Sequence, residues 1–164
     1  MKSSFIMLST FLITCSSFAQ KDELKDLEKA FKKANSSEIE TLLTKMEGTL
    51  SNATDDQKAA YYFYKAQNEI SLANSGDDLF ANRSKAIATI NQLIRFENET
   101  KSKKYTTEIS SIKNNLLAQL VDEAIGSNQK KDFKNSSRLF EQAYRLNPTD
   151  TMYLFYAASD AANG

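Results

Sequence analysis

The residues that could do chemistry in this chain are few. It contains no histidine and no tryptophan, and its one cysteine, Cys15, sits close to the N-terminus. Ser-His-Asp and Cys-His catalysis, Cys/His zinc sites and histidine-held haem are thereby excluded. Carboxylates, lysines, arginines, hydroxyls and tyrosines remain, which could form a glycosidase-type carboxylate pair or an oxygen-ligand metal site. Neither an Asp-x-Asp-x-Asp-Gly loop nor a glycine-rich phosphate cradle is present. The acidic doublets Asp55-Asp56 and Asp77-Asp78 each open a predicted helix, where a carboxylate caps free N–H groups and suits the helix dipole. Capping, not metal binding, is the reading they support. We expect no catalytic residue, no metal and no cofactor.

The elements that would carry these residues are helical. One proline, four glycines and long stretches of Ala, Leu, Lys, Glu, Gln and Ile favour helix over sheet. A hydrophobic share of 41% over 164 residues supplies a core for one domain. The 21 basic and 21 acidic residues cancel, so no long-range field would gather nucleic acid or anionic lipid.

Residues 1–19 read as a signal peptide. Lys2 gives the positive start, Phe5 to Ile13 an apolar stretch, and Ser17-Phe18-Ala19 a small-x-small cleavage site before Gln20. That apolar stretch would rise only about 14 Å as a helix, roughly half the hydrocarbon thickness of a bilayer, so it is a cleaved leader and no anchor. Leu12-Ile13-Thr14-Cys15 offers the alternative of lipidation at Cys15, although Thr14 departs from the small residue usual before such a cysteine. Either route exports the protein, to the periplasm or the envelope, with no transmembrane span in the mature chain.

Residues 20–164 form one helical domain by their apolar spacing. Leu24, Leu27, Ala30 and Phe31 share a face; Asn35-Ser36-Ser37-Glu38 breaks that helix and caps a second with Ile39, Leu42, Leu43, Met46 and Leu50. A third runs from Asp55 to about Asn74. After a loop around Gly76, a fourth carries Ala86, Ile87, Ile90, Leu93, Ile94 and Phe96. The polar stretch from Glu97 to Lys104 reads as an exposed turn. A helix through Ile109 to Ile125 leads to Lys131-Asp132-Phe133, and a second through Leu139 to Tyr144 then runs to Leu146-Asn147-Pro148. Hairpins are expected at about 21–52, 55–98 and 105–148, with an incomplete one from 150. The run Tyr61-Tyr62-Phe63-Tyr64 points all round its helix, so part of it packs between hairpins while at least one ring faces out, available as an aromatic anchor for a partner.

The last complete pair carries a more specific pattern. Lys131-Asp132-Phe133 between helices, Phe140 and Ala143 three apart, and Leu146-Asn147-Pro148 as a stop resemble the second half of a tetratricopeptide (TPR) repeat. Pro148 lacks an N–H and disfavours helix before it, which gives the stop a physical cause. Ala124 returns as Ala158 after 34 positions, the length of such a repeat. The step from Ala66 to Ala86 is eight longer than that from Ala124 to Ser136, an excess expected in the loop around Gly76.

The resemblance implies an all-α, right-handed solenoid of stacked antiparallel hairpins that acts as a protein-interaction scaffold, binding a partner peptide or helix of the bacterial cell envelope. Its concave face would present Phe63, Gln67 and Ile70, then Val121, Ile125, Asn128 and Gln129, then Met152, Phe155 and Ser159. The apolar members also suit a core role. These positions contain no basic residue, so a carboxylate clamp is unsupported. A carbohydrate or peptidoglycan-binding module, and the non-catalytic repeat domain of a longer enzyme, stay open as alternatives. The apolar helix from Met152 suggests that the chain is a fragment of a longer one, or that this helix docks on something else. Replacing Ala143 with Leu should destabilise the fold by about 1–3 kcal/mol through overpacking; an unchanged thermal melt would count against the repeat assignment.

Overall fold

The computed structural model describes residues 22–76 and 78–164. The leader, with Cys15 and the Ala19 cleavage position, lies outside the described residues, as does Asp77. The described residues are all-helical and contain no strand. Helix α1 is described over residues 22–32. It is followed by α2 (Ser36–Thr49), a short 3-10 turn (Leu50–Asn52), α3 (Asp55–Asn74) and α4 (Leu79–Glu99). Then come α5 (Thr106–Gln129), α6 (Phe133–Leu146) and α7 (Met152–Asn163).

Local chemistry sets the boundaries. Asn35 caps α2 by accepting from the Glu38 N–H, and Thr54 opens α3 in a reciprocal capping box with Gln57. Asp55 and Asp56 therefore occupy the first turn of α3 and lend it their charge, while Thr54 does the capping. Asp78 and Asp132 cap α4 and α6, accepting from Ala81 and Asn135 respectively. The turn between α3 and α4 needs left-handed backbone, which Gly76 adopts at φ 95° without penalty. Helix α6 stops at Leu146, two residues ahead of Pro148.

Short connections fold α3 back on α4 and α5 back on α6, and α7 packs on α6; α4 further touches α5 and α6. Small residues mark the places where helices approach. Ala66, Ala86, Ala124, Ser136 and Ala143 are fully buried. The main core runs through Ile87, Ile90 and Leu93 of α4 to Leu116, Leu120, Leu139, Phe140 and Leu146. A second cluster joins Leu27, Ile39, Leu43, Met46 and Tyr61, and Tyr62 packs against both. The aromatic run is mostly packing: Tyr61 is buried, and Tyr62, Phe63 and Tyr64 are half-buried.

Two expectations fail here. Of the eight extra residues between Ala66 and Ala86, one falls in the loop and seven lengthen the helices: α3 continues eight residues past Ala66 against five past Ala124 in α5, and α4 begins seven before Ala86 against three before Ser136 in α6. Nearly a turn is added to each helix, which extends the packed seam instead of leaving chain to be ordered in solvent. Nor is Glu97 to Lys104 simply an exposed turn. Helix α4 continues to Glu99, and the Glu97 side chain is buried, accepting from the Tyr105 N–H at 2.8 Å and the Thr106 hydroxyl at 2.6 Å. Tyr105 makes no side-chain cap, so this carboxylate satisfies the start of α5 from the end of α4.

A polar knot ties α7 to its neighbours. Asp160 is buried, accepts from Asn128 of α5 at 2.7 Å and from Ser136 of α6 at 2.5 Å, and Ser136 also approaches the Ala124 carbonyl at 2.8 Å. Replacing Glu97 with Ala orphans the Tyr105 N–H and should destabilise the chain by about 1–3 kcal/mol in urea unfolding, with exchange protection lost first at the N-terminus of α5.

Candidate functional site

The geometry that could hold a partner lies between α3 and α5. Phe63 stacks on Tyr105 with ring centroids 4.2 Å apart and planes 16° from parallel. That stack fixes how far α3 slides along α5. One to three turns on, Gln67, Ile70, Ser71 and Asn74 come to face Ile112, Asn115, Leu116 and Gln119 across a cleft of about 430 Å³. Ile70, Ile112 and Leu116 form its apolar floor. Its polar lining is four carboxamides and one hydroxyl, with no ionisable side chain.

The rim is held from behind. Gln119 donates to Glu123 at 3.1 Å, and Glu123 receives both arms of the Arg83 guanidinium at 2.6 Å each. The Arg83 side chain is only 4% exposed. Its hydrogen bonds and charge draw the Glu123 carboxyl below its ordinary range. This fork anchors α5 to the start of α4 and holds Gln119 at the cleft.

Burial pushes the Tyr64 and Tyr105 phenols up to about 12, so neither ionises near neutrality. Between α2, α3 and α4 lies a second, smaller pocket in which charge does gather. Lys65 reaches Glu47 at 3.5 Å and the Tyr61 hydroxyl at 3.3 Å, and Thr89 donates to the buried Glu69 at 2.7 Å. Burial raises the Glu69 carboxyl, against the hydrogen bond from Thr89. These groups are engaged with one another, as an ion-pair network between helices would be. No group of three Asp, Glu, Cys or His among the described residues could hold a metal ion. No described helix is long and apolar enough to cross a membrane.

The residues expected on a concave face are dispersed. Gln67 and Ile70 line the cleft; Phe63 closes one end of that seam through its stack on Tyr105. Val121, Ile125, Asn128 and Gln129 lie farther along α5, outside the cleft lining. Asn128 is committed to Asp160, and Ile125 is 45% exposed. Met152, Phe155 and Ser159 are exposed on α7. Ile112, Asn115, Leu116 and Gln119 take the place facing α3 that the repeat register gave to Val121 and its neighbours.

No family model matches the chain, and neither a curated protein nor a solved structure matches it.

The Arg83 fork has a pH signature. The lowered Glu123 carboxyl contributes stability that is present above its unfolded value and lost as pH falls through the folded one. Glu123→Ala should therefore destabilise by about 1–3 kcal/mol at pH 7, and the gap from the parent should narrow as pH falls below 4.5. Urea titrations at a series of pH values check both; a gap independent of pH would remove the charge from the account.

Proposed function

We propose that this chain is a TPR-like helical solenoid, exported to the bacterial cell envelope, that binds a partner protein by seating an extended, uncharged segment of it in the cleft between α3 and α5. The observation that carries this reading is the lining of that cleft. A peptide backbone offers alternating N–H and C=O groups, and each carboxamide both donates and accepts, so Gln67, Asn74, Asn115 and Gln119 suit a backbone whatever its sequence. Ile70, Ile112 and Leu116 supply an apolar floor for every other side chain of an extended strand. A cleft without ionisable groups would reject charged side chains, whose desolvation it could not offset. The scarcity of catalytic chemistry agrees with a binding role. A glycan module would be expected to offer an aromatic platform, and this lining has none.

The test is selection of random 15-residue peptides on the chain, with Asn115→Ala/Gln119→Ala as counter-target. Both side chains are exposed, so the variant should melt like the parent. Loss of two hydrogen bonds should weaken selected neutral peptides by roughly tenfold or more. Equal retention by both chains, or retention of oligosaccharides in place of peptides, would overturn the proposal.

A further inference from the structure

A second surface, separate from the cleft, is left open on α7. Met152, Leu154, Phe155 and Tyr156 are each 41–63% exposed, and Ala158, Ser159, Ala161 and Ala162 are exposed beyond them. The one charged residue of this helix, Asp160, is turned inward and buried. Four large exposed apolar side chains on twelve residues are a contiguous patch of the kind that marks an interaction surface.

What covers this face can be read from α5. On one side α5 meets α4, where Glu123 takes the Arg83 fork, and on the other its Leu120 and Ala124 are buried under α6, with Ser136 against the Ala124 carbonyl. Advancing by 34 positions, Ala157 stands for Glu123 and meets the preceding helix: it is buried, and its carbonyl accepts from Ser137 of α6 at 2.7 Å. Leu154 and Ala158 stand for Leu120 and Ala124, yet they are exposed. Helix α7 thus presents bare the face that α5 buries beneath an antiparallel helix with small residues at the crossing.

We propose that a second copy of this chain covers that face, the two α7 helices pairing antiparallel about a two-fold axis near Ala158. Three features select this occupant. Near a two-fold axis a residue meets its own copy, so any charge there would face a like charge, and this surface carries none. Bulk is graded along the helix, with Met152, Leu154 and Phe155 in the first half and Ala158, Ala161 and Ala162 in the second. An antiparallel copy lays each large half over the other's small half; a parallel one would clash at Phe155 and leave a gap at the alanines. The crossing at Ala158 brings small residue to small residue, as Ala124 meets Ser136 within the chain.

One helix from each copy, about 18 Å long, covers less than the ~800 Å² per partner of a stable dimer. The pair is accordingly weak, with a Kd of about 10 µM to 1 mM. Sedimentation velocity of the full chain over that range should show mass rising toward the dimer, and Phe155→Glu should shift the rise to at least tenfold higher concentration without altering the thermal melt. In a Cys15→Ser background, Ser159→Cys should give a disulfide-linked dimer under mild oxidation, and the exposed Lys33→Cys should not. If Phe155→Glu disturbs folding, the Ser159 and Lys33 pair decides alone. Parent and Phe155→Glu chains that sediment alike at every concentration, or equal cross-linking at positions 159 and 33, would overturn the proposal.

Discussion

Close approach of helices at small residues is the constraint on which the rest of the molecule depends. A three- or four-residue connection leaves successive helices no choice but to fold back on each other. They can bury their apolar faces only if side chains at the crossing do not hold them apart. Ala66 and Ala86 meet this need in the α3/α4 region, and Ala124, Ser136 and Ala143 meet it between α5 and α6; all are fully buried. With the backbones close, the larger residues above and below, Ile90, Leu93, Leu120 and Leu139, join one buried cluster. Where no small residue sits, as at the Phe63–Tyr105 stack, two helices stand farther apart and a cleft opens beyond the ring pair.

Polar contacts then choose among the arrangements that apolar burial alone would permit. Glu97 closes the start of α5 from the end of α4, so the register of these helices follows from one carboxylate. The Arg83 fork sets the start of α4 against the middle of α5, and Asp160 gathers α5, α6 and α7 at one point. Each is a buried or half-buried group with its partners supplied by another helix. Each would leave an orphaned charge or donor if the helices slid by a turn. Burial holds the helices together, and these bonds hold them in place.

Much of this was legible in the sequence because it is local. The helix from Asp55 to Asn74, the break at Asn35 and the stop before Pro148 follow from apolar period, caps and proline chemistry within a few residues. By its charge Glu97 reads as solvent-exposed, and only the return of α5 supplies the N–H and hydroxyl that make its burial tolerable. The cleft was half legible. Gln67 and Ile70 could be placed by their position on α3, but their counterparts on α5 depend on how far one helix slides along another. That sliding is set by the Phe63–Tyr105 stack and by the extra turns of α3 and α4, neither of which a repeat of fixed length encodes. In sequence Asn128 reads as free to meet a partner backbone, because Asp160, its acceptor, lies a helix and a half away.

The proposed role rests on a cleft with an amide rim and an apolar floor, which would suit a neutral peptide. The most direct measurement is a nuclear magnetic resonance titration of the side-chain carboxamides with a neutral peptide that binds the chain. The account predicts that the resonances of Gln67, Asn74, Asn115 and Gln119 shift together and saturate at one peptide per chain, while Asn128, held by Asp160, stays still. Shifts confined to residues of α7, or spread over the exposed amides without saturation, would contradict it.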